Sequence, residues 1–160
     1  ICLRRQLDRP VVLRMIGRFR KEAEGYREQV MSKIRELEQS DAGSLISVHL
    51  ENAFIDNESL SREFAEADCV LTPYLEFYGS SGMIGHACRY RKPLLGCLDG
   101  LLGELIRGRK LGLCVDPRDA KHFAATMLRI IDGEYDYDSE AADNYVAAAD
   151  PLRFVQLLIA

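Results

Sequence analysis

Residues 69–104 read CVLTPYLEFYGSSGMIGHACRYRKPLLGCLDGLLGE. Cys69, Val70 and Leu71 form a short apolar run, the mark of a buried strand, and Thr72, Pro73 and Tyr74 end it. A loop carries Glu76 and Gly79 into Ser80-Ser81-Gly82, and an apolar-rich helix is expected over residues 82–90. Pro93 stops that helix, and Leu94 to Cys97 reads as a second strand. A glycine turn at Gly100 then leads into a helix over residues 101–107. Strand, loop, helix, strand, glycine loop, helix is the grammar of a parallel α/β sheet. In such sheets ligands bind at the carboxyl ends of the strands.

The flanks repeat this pattern. Toward the N-terminus, Pro10 leads into a strand over residues 11–16, and Gly17 ends it. A long helix is expected over residues 21–39, with Tyr26, Val30, Ile34 and Leu37 on its apolar face. A second strand covers residues 45–50, and its partial alternation suits a less central place in a sheet. Asn57 is a candidate cap for a short helix carrying Leu60, Phe64 and Ala67 on one face. Toward the C-terminus, residues 111–115 read as a strand and residues 119–131 as a helix packing through Phe123, Ala124, Met127 and Ile131. Further helices are expected over residues 139–148 and after the Asp150-Pro151 cap signal. About five strands, each followed by a helix, predict a single Rossmann-like three-layer αβα domain with a mainly parallel sheet of five to six strands. Residues 1–9 read as a truncated lead-in, 10–138 as the domain, and 139–160 as helices packing on it.

Composition narrows the class. The apolar fraction of 48% supports a core, and the formal net charge is −4 with mixed signs along the chain. No long basic block occurs, so nucleic acid is not an expected partner. The five cysteines show no C-x-x-C spacing and mostly sit in apolar runs, so they read as buried thiols, not a disulfide frame or zinc site. His49, His86 and His122 lack ligand spacing, and no metal site is expected. His86 reads as a packed histidine.

Three groups of residues can carry chemistry. Gly17-Arg18-Phe19-Arg20-Lys21 follows a strand and precedes a helix. Glycine turns sharply there, and arginine presents a fork matched to phosphate oxygens. A solvated basic helix start is the plain alternative, although cations at that end oppose the helix dipole. Gly79-Ser80-Ser81-Gly82 offers amides and hydroxyls to an anion, or simply a serine-capped helix. Asp99-Gly100-Leu101-Leu102-Gly103-Glu104 is a second strand-glycine-helix unit. Neither is a G-x-G-x-x-G fingerprint, and no G-x-x-x-x-G-K-S/T loop occurs, which argues against nicotinamide enzymes and P-loop nucleoside triphosphatases. Glu76 and Glu104 are suited to accepting hydrogen bonds from sugar or ribose hydroxyls, or are ordinary surface glutamates. Tyr74, Phe77 and Tyr78 are suited to walling a pocket, and equally to plain packing.

Four stretches taken together, VVLRMIGRF (11–19), NAFIDNESLSREFAEADCVLTPY (52–74), GSSGMIGHACRYRKPLLG (79–96) and DGLLGELIRGRKLGLCVDPRD (99–119), resemble the C-terminal, nucleotide-sugar-binding domain of a GT-B fold glycosyltransferase of the group 1, family 4-like type. The resemblance covers roughly residues 10–132. It implies one half of a GT-B fold, a nucleoside diphosphate sugar as donor substrate and no tightly bound cofactor. Arg18 matches the family's diphosphate arginine. The family lysine falls at Ala23, so Lys21 or Arg20 would have to replace it. Glu76 matches the first glutamate of the family's E-x7-E motif, and the second falls at Ile84. Ser80, Ser81 and Gly82 match a subgroup with a serine-serine-glycine helix start, and Glu104 matches the glutamate of the late glycine motif.

The implied catalytic residues are therefore Arg18, Lys21 and Glu76. The implied donor contacts are Gly17, Arg18, Arg20, Ser80, Ser81, Gly82, Gly100 and Glu104. The implied reaction is retaining, metal-independent sugar transfer to a hydroxyl. The partner is the family's N-terminal domain with the acceptor site, without which the 160-residue piece should be inactive and open to self-association. The parent is expected in the cytoplasm, with peripheral membrane contact compatible. Three alternatives stay open: a nucleotide-sugar epimerase of the same fold, a degenerate, non-catalytic interaction domain, and an unrelated flavodoxin-like or receiver-like α/β domain.

Overall fold

A computed structural model describes residues 9–19, 24–40, 45–76, 79 and 81–149. Strands and helices alternate in the order β1 (Val11–Ile16), α1 (Glu24–Glu38), β2 (Ile46–Glu51), α2 (Asn57–Glu66), β3 (Val70–Thr72), α3 (Gly82–Arg89), β4 (Leu94–Cys97), α4 (Gly100–Gly108), β5 (Gly112–Val115), α5 (Ala120–Ile131) and α6 (Ser139–Ala148). The fold is α/β and Rossmann-like in pattern, and every described ladder is parallel. The five described strands lie in a two-stranded sheet, β1-β2, and a three-stranded sheet, β3-β4-β5, where the sequence predicts a single sheet of five to six strands. β3 is three residues long, Val70–Thr72, and Pro73, which lacks an N–H, follows it. The chain divides into two compact units, Ile1–Leu60 and Ser61–Ala160.

In the first unit β1 and β2 pair from Val11↔Ile46 to Ile16↔Glu51. The Val11 N–H donates to Leu45 O at 2.7 Å and the Gly17 N–H to Glu51 O at 3.1 Å, extending the ladder at both ends. Leu13, Met15, Val48 and Leu50 are half-buried, while Val12, Arg14, Ser47 and His49 are exposed, the two-residue period of a strand with one packed face. α1 packs against β2. Val30, Ile34 and Leu37 are half-buried as the spacing predicts, but Tyr26 is 62% exposed. Its ring instead meets Phe19 edge-on at 6.4 Å. The cap of α2 is Asp56, one residue before Asn57. Its Oδ1 accepts from the Ser59 N–H and its Oδ2 from the Ser59 hydroxyl, both at 2.9 Å. This charged double contact outcompetes the neutral amide next to it.

The second unit is built around β4. Leu94 and Leu95 are fully buried, which is why this strand reads as an unbroken apolar run. Burial of each such side chain contributes about 1.5–3 kcal/mol. Ile84 and Ala87 of α3, Leu102 and Ile106 of α4, and Leu111 are also fully buried. Leu95, Val115 and Ile130 form a cluster, with Phe123 and Met127 packed against it. The predicted packing residues of α5, Phe123, Ala124, Met127 and Ile131, are half-buried, and Thr126, Leu128 and Ile130 are buried more deeply. α6 packs on α3. The Arg91 guanidinium grips Asp143 through Nε at 3.3 Å and Nη2 at 2.8 Å, and the Asp138 N–H donates to Lys110 O at 2.9 Å. The expected Asp150-Pro151 helix lies outside the described residues. Among the described residues no helix is long and apolar enough to cross a membrane.

Candidate functional site

Parallel ladders place the loops that follow their strands at one edge, and each unit has such a carboxyl edge. In the first unit this edge carries Gly17, Arg18 and Phe19 after β1, and residues 52–56 after β2. Gly17 has φ +145°, a region that side chains rarely adopt, and this lets the chain turn as β1 ends. Arg18 is exposed. Its guanidinium carbon sits 5.9 Å from the centroid of the Phe54 ring. The Phe19 N–H donates to Asn52 Oδ1 at 3.0 Å. Two contacts therefore tie the loop after β1 to the loop after β2. The predicted contacts Arg20 and Lys21 lie outside the described residues.

In the second unit the carboxyl edge collects the loops after β3, β4 and β5. The loop after β3 holds Tyr74, Glu76 and Ser81. Glu76 and Ser81 both have positive φ, 52° and 55°. Ser81 caps α3, its Oγ accepting from the Met83 N–H at 3.2 Å. The Tyr74 hydroxyl lies 3.4 Å from the same Oγ. Ser80, Phe77 and Tyr78 lie outside the described residues. The loop after β4 is two residues long, Leu98 and Asp99, and delivers Gly100 at φ +75° into α4. Asp99 occupies the cap position of α4 without a side-chain capping bond. Glu104 is exposed on the same helix. Gly103, beside it, lets α4 approach the Cys97 and Leu98 carbonyls.

The loop after β5 contributes a residue that the sequence reading passed over. Arg118 Nη2 lies 3.8 Å from Glu76 Oε1 and its Nη1 lies 3.7 Å from Asp116 Oδ1. The Arg118 N–H also donates to Asp116 Oδ1 at 2.9 Å, a tight turn written in the sequence as Asp116-Pro117-Arg118-Asp119. Arg118 thus brings a guanidinium to the loop holding the predicted carboxylate. Both partners are largely exposed, so the pair orients side chains more than it stabilises the fold. Asn52 and Phe54 were likewise missed as contacts of the arginine loop. Asn52 stands one residue after a strand, and that position was its only sequence signal.

Ile84 is fully buried in α3. His86 is packed, its ring stacked on Phe64 at 5.0 Å. Among the described residues no group of three or more His, Cys, Asp or Glu is placed to hold a metal ion. The thiols of Cys69, Cys88 and Cys114 are pushed up to about 12, 11 and 11, chiefly by burial, which leaves them neutral and poor nucleophiles.

No family model matches the chain, and no curated protein matches it. Among solved structures it is similar to AviGT4, a glycosyltransferase involved in Avilamycin A biosynthesis, with a TM-score of 0.47 and 17% sequence identity. The likeness covers 91% of this chain and 44% of that protein, so the chain spans less than half of its length.

Proposed function

We propose that this chain is the donor-binding part of a glycosyltransferase, moving a sugar from a nucleoside diphosphate sugar to a hydroxyl acceptor. The observation that carries the reading is the position of Arg18. It directly follows the left-handed Gly17 at the carboxyl end of a parallel strand, where the family resemblance puts the diphosphate arginine. As the glycosidic bond breaks, the leaving diphosphate gains negative charge. A fixed guanidinium stabilises that charge without reorganising. Within the second unit, the amides at the starts of α3 and α4 are donors of the kind that anions accept from. Glu76, oriented by Arg118, is the carboxylate assigned to the sugar side. The mechanism so read needs no metal and retains the anomeric configuration. Acceptor and base come from a separate N-terminal domain, so the piece alone does not turn over.

The test is an amide NMR titration of the 160-residue chain with UDP, GDP, ADP and their sugar conjugates. Saturable shifts at Gly17 and Arg18, lost in Arg18→Ala, are expected. Sugar transfer catalysed by the isolated chain would contradict the assignment of the acceptor side. A second reading draws on Ile84. Its full burial leaves no carboxylate where the family grips the ribose, which favours a degenerate, non-catalytic interaction domain. That reading expects a folded spectrum with no nucleotide response, in the piece and in the longer protein alike.

A further inference from the structure

Phe54 is 74% exposed, an unusual place for a phenylalanine ring. One face of that ring carries the Arg18 guanidinium at 5.9 Å. Two residues earlier, Asn52 Oδ1 accepts the Phe19 N–H at 3.0 Å, across 33 positions of sequence. The loop after β2 thus holds the loop after β1 at two points, the Arg18 side chain and the backbone N–H of Phe19. An unsupported surface arginine samples many rotamers and gives up that freedom on binding. A guanidinium already laid on a ring gives up less, and its edge N–H groups stay available to an oxyanion.

From this arrangement we infer that Phe54 and Asn52 are positioning residues that pre-set Arg18 to bind a diphosphate. The inference rests on the reading of Arg18 given above and adds the device that makes that residue effective. Neither side chain needs to touch the ligand.

The experiment uses the full 160-residue chain and inorganic pyrophosphate as probe, followed by NMR of the backbone amides and the Arg18 Nε–Hε group. Four variants are compared with the parent sequence: Arg18→Ala, Phe54→Leu, Phe54→Trp and Asn52→Ala. Because Phe54 is exposed, its variants should keep a folded spectrum. Phe54→Leu should remove the ring-current shift at Arg18 Nε–Hε and weaken pyrophosphate binding roughly two- to fivefold, the scale of an exposed cation–π contact. Phe54→Trp should restore both. Asn52→Ala should weaken binding while leaving the ring-current shift in place. Unchanged affinity and an unchanged Arg18 resonance in Phe54→Leu would overturn the inference alone. Pyrophosphate shifts that persist in Arg18→Ala, or no response in the parent sequence, would overturn the reading of Arg18 and the inference with it.

Discussion

Two glycines of the second unit separate packing from propensity at the scale of single residues. A Cβ added at Gly103 would lie 2.5 Å from the Leu98 carbonyl oxygen and 2.7 Å from that of Cys97. Both obstacles are backbone and cannot rotate away. Gly103→Ala should therefore destabilise by about 3 kcal/mol, and move Leu98 and Asp99 with it. Gly85, in the middle of α3, has nothing within 4 Å of the same added atom. Gly85→Ala should instead stabilise by roughly 0.5–1 kcal/mol, the difference in helix propensity. Urea unfolding of the two variants checks the pair, and equal effects would mean that α4 does not press on the Leu98 carbonyl. Tyr137 gives a third residue-scale outcome. Its hydroxyl oxygen is buried and has no hydrogen-bond partner among the described residues, and burial pushes its pKa up to about 12. Removing an unsatisfied polar atom is nearly free, so Tyr137→Phe should leave the urea midpoint unchanged or raise it. A marked loss would reveal a partner for that oxygen.

Helix starts at the carboxyl edge differ in a way that can be measured element by element. Asp119 caps α5, its Oδ1 accepting from the His122 N–H at 2.9 Å. Asp99 holds the same position on α4 and makes no such bond. Asp119→Ala should cost about 1 kcal/mol, and Asp99→Ala less than half of that, because only its interaction with the helix dipole is lost. Equal losses in thermal or urea unfolding would show that Asp99 caps α4 after all. Elements were largely legible in the sequence, since local chemistry sets their limits. β1 and β4 follow from apolar runs bounded by glycine and proline. What sequence did not reveal depends on competition or on distance along the chain. Asp56 and Asn57 are both good caps, and only the contacts to Ser59 decide between them. Phe19 with Asn52 in the first unit, and Arg118 with Glu76 in the second, each join loops that the parallel strand order of their own unit brings together. In the first unit the arginine was visible in the sequence while its supports were not.

Over the whole molecule, the described free thiols lie in the second unit, and they make its stability sensitive to alkali. Burial raises Cys69 from 9.0 to about 12, and Cys88 and Cys114 from 9.0 to about 11. Cys97 is raised in the same direction for the same reason. Between the unfolded and folded values the unfolded chain has released a proton that the folded chain keeps. The stability these thiols support is therefore fully present below pH 9.0 and falls as pH rises toward 11–12. A thiol that ionises only when unfolded lowers stability by up to about 1.4 kcal/mol per pH unit across that window. Urea midpoints should thus drop steeply from about pH 9 to pH 10.5, after little change from about pH 7 to pH 8.5. Replacing Cys69, Cys88 and Cys114 by alanine together should lower the midpoint at pH 7.5, because apolar volume is lost from the core. The same triple variant should lose less between pH 7.5 and 10.5 than the parent chain, since three of the groups that drive the fall are gone. The comparison rests on the slope and not on the absolute stability, so the packing defect does not obscure it. Parallel pH profiles for the two proteins would show that the thiols ionise as readily folded as unfolded, and that burial in this unit does not govern their charge.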